Sequence, residues 1–202
     1  MRYEAVLFDF DGVLADTEPL HFEAWRDALS PLGIRLNWDF YRSQCIGICD
    51  DELLELLATQ SNRPQTTLRL RQQMPVKQRL FLAKAEAAPP VPEQVISMIK
   101  DLISYRLAVV TSTSRLEVEP VLRAAGILES FQCVICAEDV ARHKPDPEPY
   151  LEAARRLGIK HGLVVEDSVA GEAAAKAAGF EVLRVASVAE VPRRVRERLG
   201  VP

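Results

Sequence analysis

A short apolar run that ends in two aspartates opens this sequence and constrains the fold more than any other stretch. Residues 5–8, AVLF, are continuously apolar, and Asp9 and Asp11 follow them with Gly12 directly behind. A run of this kind predicts a strand buried on both faces of a parallel sheet. Because the aspartates are two residues apart, an extended chain points both carboxylates the same way, and glycine then permits a turn. The pattern predicts a core strand that delivers two acids to one point.

Two carboxylates that face the same way repel each other, which raises the pKa of one of them unless a cation lies between them. Mg2+ suits such oxygen ligands, usually together with substrate phosphate and water. A carboxylate can also act as a nucleophile and form an aspartyl-phosphate. The alternative is a pair of surface acids in a turn, but the apolar run and the glycine favour a functional site.

Composition excludes some classes of partner. The 202 residues are 48% hydrophobic and 27% charged, which is typical of a globular chain with either one domain or a core domain and a small insertion. The net charge of -4 gives no basic field for nucleic acid or an anionic membrane. Any phosphate must therefore be held locally, by a metal or by a few placed cations.

The N-terminal residues, MRYEAVLF, pass directly into the predicted strand and leave no room for a leader peptide. No apolar run approaches the length of a membrane span. We therefore expect a cytoplasmic protein with no membrane partner. The oligomeric state is not determined by these features, and a monomer is compatible with them.

The four cysteines raise the alternative of a structural zinc site. Cys133 and Cys136 lie in a strand-like run, and an odd separation on a strand sends their side chains to opposite faces. That arrangement disfavours joint ligation. We therefore predict free thiols in a reducing compartment.

Helical spacing dominates the chain from Leu20 to Ala88. It predicts a helix that stops at Gly33, a second helix over 51–59, and a third over 67–88 with a break at Pro75. The segment AAPPVP, residues 87–92, then interrupts helix formation and predicts a hinge or linker.

Strands and helices alternate in the rest of the chain. The predicted strands are 107–111, 133–137, 163–166 and 182–185, and the predicted helices are 116–125, 147–157, 170–178 and 188–199. This alternation implies a mostly parallel sheet with helices on both faces. Ligands of such sheets bind at the carboxyl ends of the strands.

Polar side chains collect at that edge of the predicted sheet. Asp9 ends the first strand, Ser112 follows the second, Lys144 lies in the loop after the third, and Glu166 and Asp167 end the fourth. These are a nucleophile, a hydroxyl, a cation and metal-binding acids. Phosphoryl transfer needs such a set, because its catalysis depends on positioning and on neutralising charge.

Four segments in this order, DFDGVLADTE, VVTSTS, HKPDPEPY and VVEDS, resemble the four motifs of the haloacid dehalogenase superfamily. More narrowly, they resemble its phosphatase and β-phosphoglucomutase-like branch. The resemblance implies an α/β protein with a Rossmann-like three-layer parallel sheet core, formed by residues 1–16 and 90–202. An α-helical cap, residues 17–89, would be inserted after the first motif.

The resemblance also implies roles for individual residues. Asp9 would be the nucleophile, and Asp11 the general acid and base that serves the leaving group. Ser112 would hydrogen-bond the transferring phosphate, Thr113 would contact the substrate, and Lys144 would pair with the phosphate. The Mg2+ ligands implied are Asp9, Asp11, Glu166 and Asp167, with Glu166 in a supporting role.

Each of these residues has a structural alternative. Ser112 is also a candidate N-cap for the following helix, and Lys144 a candidate solvated loop lysine. Glu166 and Asp167 are also placed to interact with the positive end of the next helix. Their joint occurrence at successive strand ends is what favours catalysis.

In the implied cap, the expected substrate-binding residues are His21, Gly47 and Lys77. Gly47 lies in the loop CIGICDD, which resembles the specificity loop of the family. The alternatives are a helix-face histidine near the hinge and a solvated helix lysine. Asp50 stands where true mutases carry an arginine for the distal phosphate, and an acid there repels a second phosphate.

The predicted function is a Mg2+-dependent phosphomonoester hydrolase that acts on a sugar phosphate or another small phosphorylated metabolite through an aspartyl-phosphate. The alternative is a β-phosphoglucomutase-like phosphosugar mutase, which Asp50 disfavours. Asp11 argues against a metal-free dehalogenase. A binding or scaffolding protein that kept the fold without activity is the alternative from outside the enzymes.

Overall fold

The computed structural model describes residues 3–46, 48–60 and 66–201. The chain divides into two compact units. One unit comprises Met1–Asp16 and Pro90–Pro202, and the other is the continuous segment Thr17–Pro89. We call them the sheet unit and the helical unit.

The sheet unit contains five strands and five helices within the described residues. In chain order they are β1 (Ala5–Phe8), then α6 (Glu93–Asp101), β2 (Arg106–Val110), α7 (Arg115–Ala124), β3 (Cys133–Ile135), α8 (Glu148–Leu157), β4 (Gly162–Glu166), α9 (Val169–Ala177), β5 (Glu181–Arg184) and α10 (Val191–Leu199). The helices that precede α6 belong to the helical unit, and they are α1 (Glu18–Leu29), α2 (Trp38–Gln44), α3 (Asp50–Gln60), α4 (Thr66–Arg71) and α5 (Met74–Ala87).

The five strands form one parallel sheet in the order β3-β2-β1-β4-β5. The central strand β1 pairs with β2 on one side and β4 on the other, with Phe8 opposite both Val109 and Val165. All four residues of β1 are fully buried, as the continuous apolar run predicts. From β1 the chain proceeds outward in one direction to β2 and β3, and after β3 it crosses to β4 and β5 on the opposite side. The reversal places the switch point of the sheet between β1 and β4.

One face of the sheet packs against α8 and α9. Alternate strand residues, among them Leu7, Ala108 and Val164, join Tyr150 of α8 and Ala174 of α9 in a single buried cluster. The residues between them, such as Phe8 and Val165, are also fully buried. Burial on both sides explains why these strands are continuously apolar.

Local signals account for several helix ends. Ser114 caps α7 and Ser168 caps α9 through their side chains, and Gly158 ends α8 in the left-handed conformation at a φ of 64°. The predicted alternation of strands and helices is confirmed, and so is an interruption of helix formation, which spans residues 88–92 between α5 and α6 rather than 87–92. The third predicted helix is divided between α4 and α5, and the division precedes Pro75.

The helical unit has an apolar core of its own. Trp25 is fully buried there with Leu29 and Leu54 in a cluster drawn from several helices. The sequence analysis did not identify α2, a seven-residue helix that Asn37 caps by accepting a hydrogen bond from Phe40 N. Among the described residues, no helix is both long and apolar enough to cross a membrane. None of the four cysteines forms a disulfide, as predicted.

Candidate active site

Four segments of the sheet unit bring polar side chains to the carboxyl edge of the sheet. Asp9 follows β1, Thr111 and Thr113 follow β2, Lys144 lies in the loop between β3 and α8, and Glu166 ends β4. The acids of β1 and β4 flank the switch point, because these two strands are neighbours in the sheet. This is the place where open parallel sheets bind ligands.

Lys144 connects the acids of β1 and β4. Its Nζ donates to Asp9 Oδ1 at 2.8 Å, to Glu166 Oε1 at 2.6 Å and to the carbonyl oxygen of Val110 at 2.9 Å. The side chain is only 5% exposed, so the solvated-loop alternative is wrong. A buried ammonium with three oxygen partners is held as a fixed positive charge.

Glu166 is fully buried and held by five hydrogen bonds. Its Oε1 accepts from Lys144 and from the hydroxyl of Tyr150, the latter at 3.1 Å. Its Oε2 accepts from the backbone N–H groups of Asp167 and Ser168, both at 2.9 Å, and from Ser168 Oγ at 3.0 Å. Ser168, rather than either acid, is the N-cap of α9. The Glu166 carboxylate therefore links the ammonium group of Lys144 to the N-terminal end of α9.

The charges of the site shift its pKa values. Burial raises the pKa of Asp9 well above its ordinary value, and the negative charge of Glu166 adds to this effect. Burial and the charges of Glu166 and Asp11 likewise raise the pKa of Asp167 to about 6. For Glu166, burial acts in the same direction, but Lys144 and the hydrogen bonds from Ser168 lower the pKa by more. The carboxylates of Asp9, Glu166 and Asp167 therefore carry more negative charge, when ionised, than the single positive charge of Lys144 can balance.

This excess of buried acid fits a cation. Asp9, Glu166 and Asp167 each offer an oxygen, and these oxygens lie within 4.8 Å of one another. Carboxylate oxygens are the ligands that Mg2+ prefers. Asp11 is not a member of this group, and its predicted role as a metal ligand stays a prediction.

Asp11 contacts the end of β2. Thr113 Oγ1 donates to Asp11 Oδ2 at 2.6 Å, and Thr111 Oγ1 lies 3.4 Å from the same oxygen. Ser112 is half-buried in the same turn. It does not cap α7, because Ser114 does so, and the N-cap alternative for Ser112 is therefore wrong. The contacts of Ser112 and Thr113 with a substrate stay predictions.

Gly12 is required by the turn that follows Asp11. Its φ is +72°, in the left-handed region that favours glycine. A Cβ at this position would lie 2.7 Å from Asp167 Cγ and closer still to Oδ2. The absence of a side chain therefore lets the turn after β1 approach the acid after β4.

The helical unit contains the other predicted substrate residues. His21 stacks on Phe81, with ring centroids 4.3 Å apart. Lys77 is 1% exposed and donates to Asp50 Oδ2 at 2.9 Å, so the solvated-helix alternative is wrong. Trp25 Nε1 donates to the other oxygen of Asp50 at 2.8 Å. Gly47 lies outside the described residues, and substrate binding by His21, Gly47 and Lys77 remains a prediction.

Sequence reasoning missed three residues that support the site, namely Tyr150, Ser168 and Gly171. Tyr150 and Ser168 hold Glu166, and a Cβ on Gly171 would overlap the Glu166 carboxylate. The glycine was a usable signal, because glycine inside a helix costs about 1 kcal/mol relative to alanine and often marks a close approach.

The fold and the site together define an α/β enzyme with a charged, acid-rich centre at the switch point of a parallel sheet. Comparisons with known proteins support this class of protein. The sequence profile of the haloacid dehalogenase-like hydrolase family matches residues 6–185. The chain belongs to this family, and the predicted fold class is confirmed.

The chain is also similar to individual proteins of known name and structure. The "Phosphorylated carbohydrates phosphatase" of Thermotoga maritima is 35% identical over 184 residues, which cover 88% of this chain and 82% of that protein. The "Beta-phosphoglucomutase" of Bacillus subtilis is 29% identical over 187 residues, covering 88% and 80%. A crystal structure of CbbY from Rhodobacter sphaeroides in complex with phosphate has a TM-score of 0.77 at 29% identity, covering 89% of this chain and 84% of that one. The predicted class of enzyme, a phosphatase of this family, is confirmed.

Proposed function

We propose that the protein is a Mg2+-dependent phosphomonoester hydrolase that acts on a small phosphorylated metabolite of the sugar phosphate class through an aspartyl-phosphate. The observation that carries the proposal is the juxtaposition of Asp9 with Lys144 and a second pair of acids at the switch point. The relative named for its action on phosphorylated carbohydrates supports this substrate class.

In the first step, a carboxylate oxygen of Asp9 attacks the phosphorus of the substrate. The bond between phosphorus and the ester oxygen breaks, and that oxygen takes a proton from Asp11 and leaves as an alcohol. In the second step, water attacks the phosphorus and gives its proton to Asp11. The bond between phosphorus and Asp9 breaks, which releases inorganic phosphate and restores both side chains.

The remaining residues bind and neutralise the phosphoryl group. Lys144 supplies a fixed positive charge, and Ser112 donates a hydrogen bond. Asp9 and Asp167 would hold Mg2+, with Glu166 in support and Asp11 as a further predicted ligand. When bound, the metal would offset the charge that spreads over the phosphoryl oxygens.

A phosphosugar mutase is the second candidate, and the β-phosphoglucomutase among the relatives favours it. The contact between Lys77 and Asp50 argues against it. A mutase must hold a second phosphate group while the sugar phosphate reorients in the site. A lysine that is already paired with a carboxylate offers little net positive charge for that group.

The test is a panel of phosphosugars and phosphoacids, assayed with Mg2+ and with a chelator. We expect release of inorganic phosphate that requires the metal, and a loss of about a hundredfold or more in Asp9→Asn, which removes the covalent route. An isomerised sugar phosphate at constant inorganic phosphate would establish the mutase instead. Full turnover in Asp9→Asn would refute the nucleophile assignment.

A further inference from the structure

The turn after β2 presents two threonine hydroxyls to one oxygen of Asp11. Thr113 Oγ1 donates to Asp11 Oδ2 at 2.6 Å, a distance typical of a hydrogen bond to an ionised carboxylate. Thr111 Oγ1 lies 3.4 Å from the same oxygen and accepts a hydrogen bond from Thr113 N at 3.0 Å. Thr111 is buried, so it fixes the backbone that carries Thr113.

We propose that Thr113, supported by Thr111, is a positioning residue that orients Asp11 for proton transfer to and from the reacting oxygens. The inference rests on the function proposed above, in which Asp11 is the general acid and base. It differs from the sequence-based prediction for Thr113, which was direct contact with the substrate.

The physical reason lies in the geometry that proton transfer needs. A general acid must reach the ester oxygen within hydrogen-bonding distance, and its carboxylate otherwise rotates about two side-chain torsions. Threonine is branched at Cβ and has a restricted first torsion, so its hydroxyl is a well-defined donor. A carboxylate held at Oδ2 presents its other oxygen in a fixed direction.

The chemistry predicts a dependence on the leaving group. A sugar alkoxide is a poor leaving group unless Asp11 protonates it. Nitrophenolate, the leaving group of p-nitrophenyl phosphate, departs without needing a proton. Misplacing Asp11 should therefore lower the rate of the first step for the sugar phosphate and leave that rate nearly unchanged for p-nitrophenyl phosphate. The second step, in which Asp11 accepts the proton of water, should slow for both substrates.

The experiment compares Thr113→Val with Thr113→Ser on these two substrates. Thr113→Val has the shape of threonine without its hydroxyl, and we expect kcat for the sugar phosphate to fall by about 10- to 100-fold with little change in KM. The pre-steady-state burst of nitrophenolate should keep its rate within about threefold while the steady-state rate falls. Thr113→Ser restores a hydroxyl and should recover most of the loss.

Two further variants separate positioning from structural damage. Ser114→Ala removes the cap of α7 in the same turn, and its effect should be equal for both leaving groups. Thr113→Ala serves as a second hydroxyl-free variant if Thr113→Val does not fold.

An equal loss of the burst and of sugar phosphate turnover would overturn the inference. A rise in KM at unchanged kcat would also overturn it, since that result indicates substrate binding by Thr113. Failure of the proposed function has a different signature, namely wild-type protein without turnover or turnover that survives Asp9→Asn.

Discussion

Gly171 offers the sharpest test of how the site is built. In most helices a change from glycine to alanine stabilises the fold by about 1 kcal/mol, because alanine has the higher helix propensity. Here a Cβ would lie 2.5 Å from Glu166 Oε2 and closer still to Cδ and Oε1, although real Cβ contacts essentially never fall below 3.0 Å. Because the neighbour is a fully buried carboxylate, Gly171→Ala must displace Glu166 from its hydrogen bonds.

The magnitude follows from those hydrogen bonds. Glu166 accepts five, and each hydrogen bond to a charged group contributes about 1.5–3 kcal/mol. Loss of two of them costs about 3–6 kcal/mol, which the gain in helix propensity reduces to a net destabilisation of about 2–5 kcal/mol. Because Lys144 moves with Glu166, we also expect a loss of activity.

The assay is urea unfolding followed by far-ultraviolet circular dichroism, with phosphatase activity measured in parallel. Tryptophan fluorescence is a separate probe, since Trp25 and Trp38 both lie in the helical unit. Ala173→Gly, at an exposed position of α9, calibrates helix propensity and should cost about 1 kcal/mol. In a Glu166→Ala background, Gly171→Ala should become neutral or stabilising.

A Gly171→Ala protein that is at least as stable as the wild type and fully active would refute this reasoning. It would mean that the carboxylate moves aside without cost, so the network around Glu166 would have no part in stability or activity. Destabilisation of equal size in the Glu166→Ala background would show instead that another neighbour opposes the Cβ.

Three further predictions test the charges and the thiols. Lys144→Met leaves buried carboxylates without their cation and should destabilise the fold by about 3–5 kcal/mol in chemical unfolding, besides abolishing turnover; a stable, active variant would contradict the geometry. The raised pKa of Asp167 means that the folded metal-free protein binds a proton more tightly than the unfolded chain. Its melting temperature should therefore fall as the pH rises from about 4 through about 6, and Mg2+ should stabilise it more above that range than below, whereas Asp167→Asn should show a smaller dependence. Burial raises the pKa of Cys45 to about 11 and that of Cys136 to about 12, so both thiols should resist a thiol reagent at neutral pH until urea is added; fast labelling of either in the native protein would contradict their burial.

The contrast between prediction and structure is clearest in the helical unit. Spacing alone predicted its long helices, but α2 was missed because seven residues show little periodicity, and Asn37 is its main local signal. Lys77 was expected to be substrate-binding or solvated. Its burial against Asp50, 27 residues earlier in the chain, follows from helix packing that no local pattern reveals.

The amino-acid sequence by itself determined the parallel α/β core, the placement of Asp9 directly after one strand and of Glu166 at the end of another, and the family. These properties are local, because burial of a strand and the polarity of the residue after it can be read within a few positions. Only the tertiary structure decided which groups meet: Lys144 reaches Asp9 across 135 positions, and Thr113 reaches Asp11 across 102. Those contacts depend on the order β3-β2-β1-β4-β5, which brings chain segments distant in sequence to one edge of the sheet.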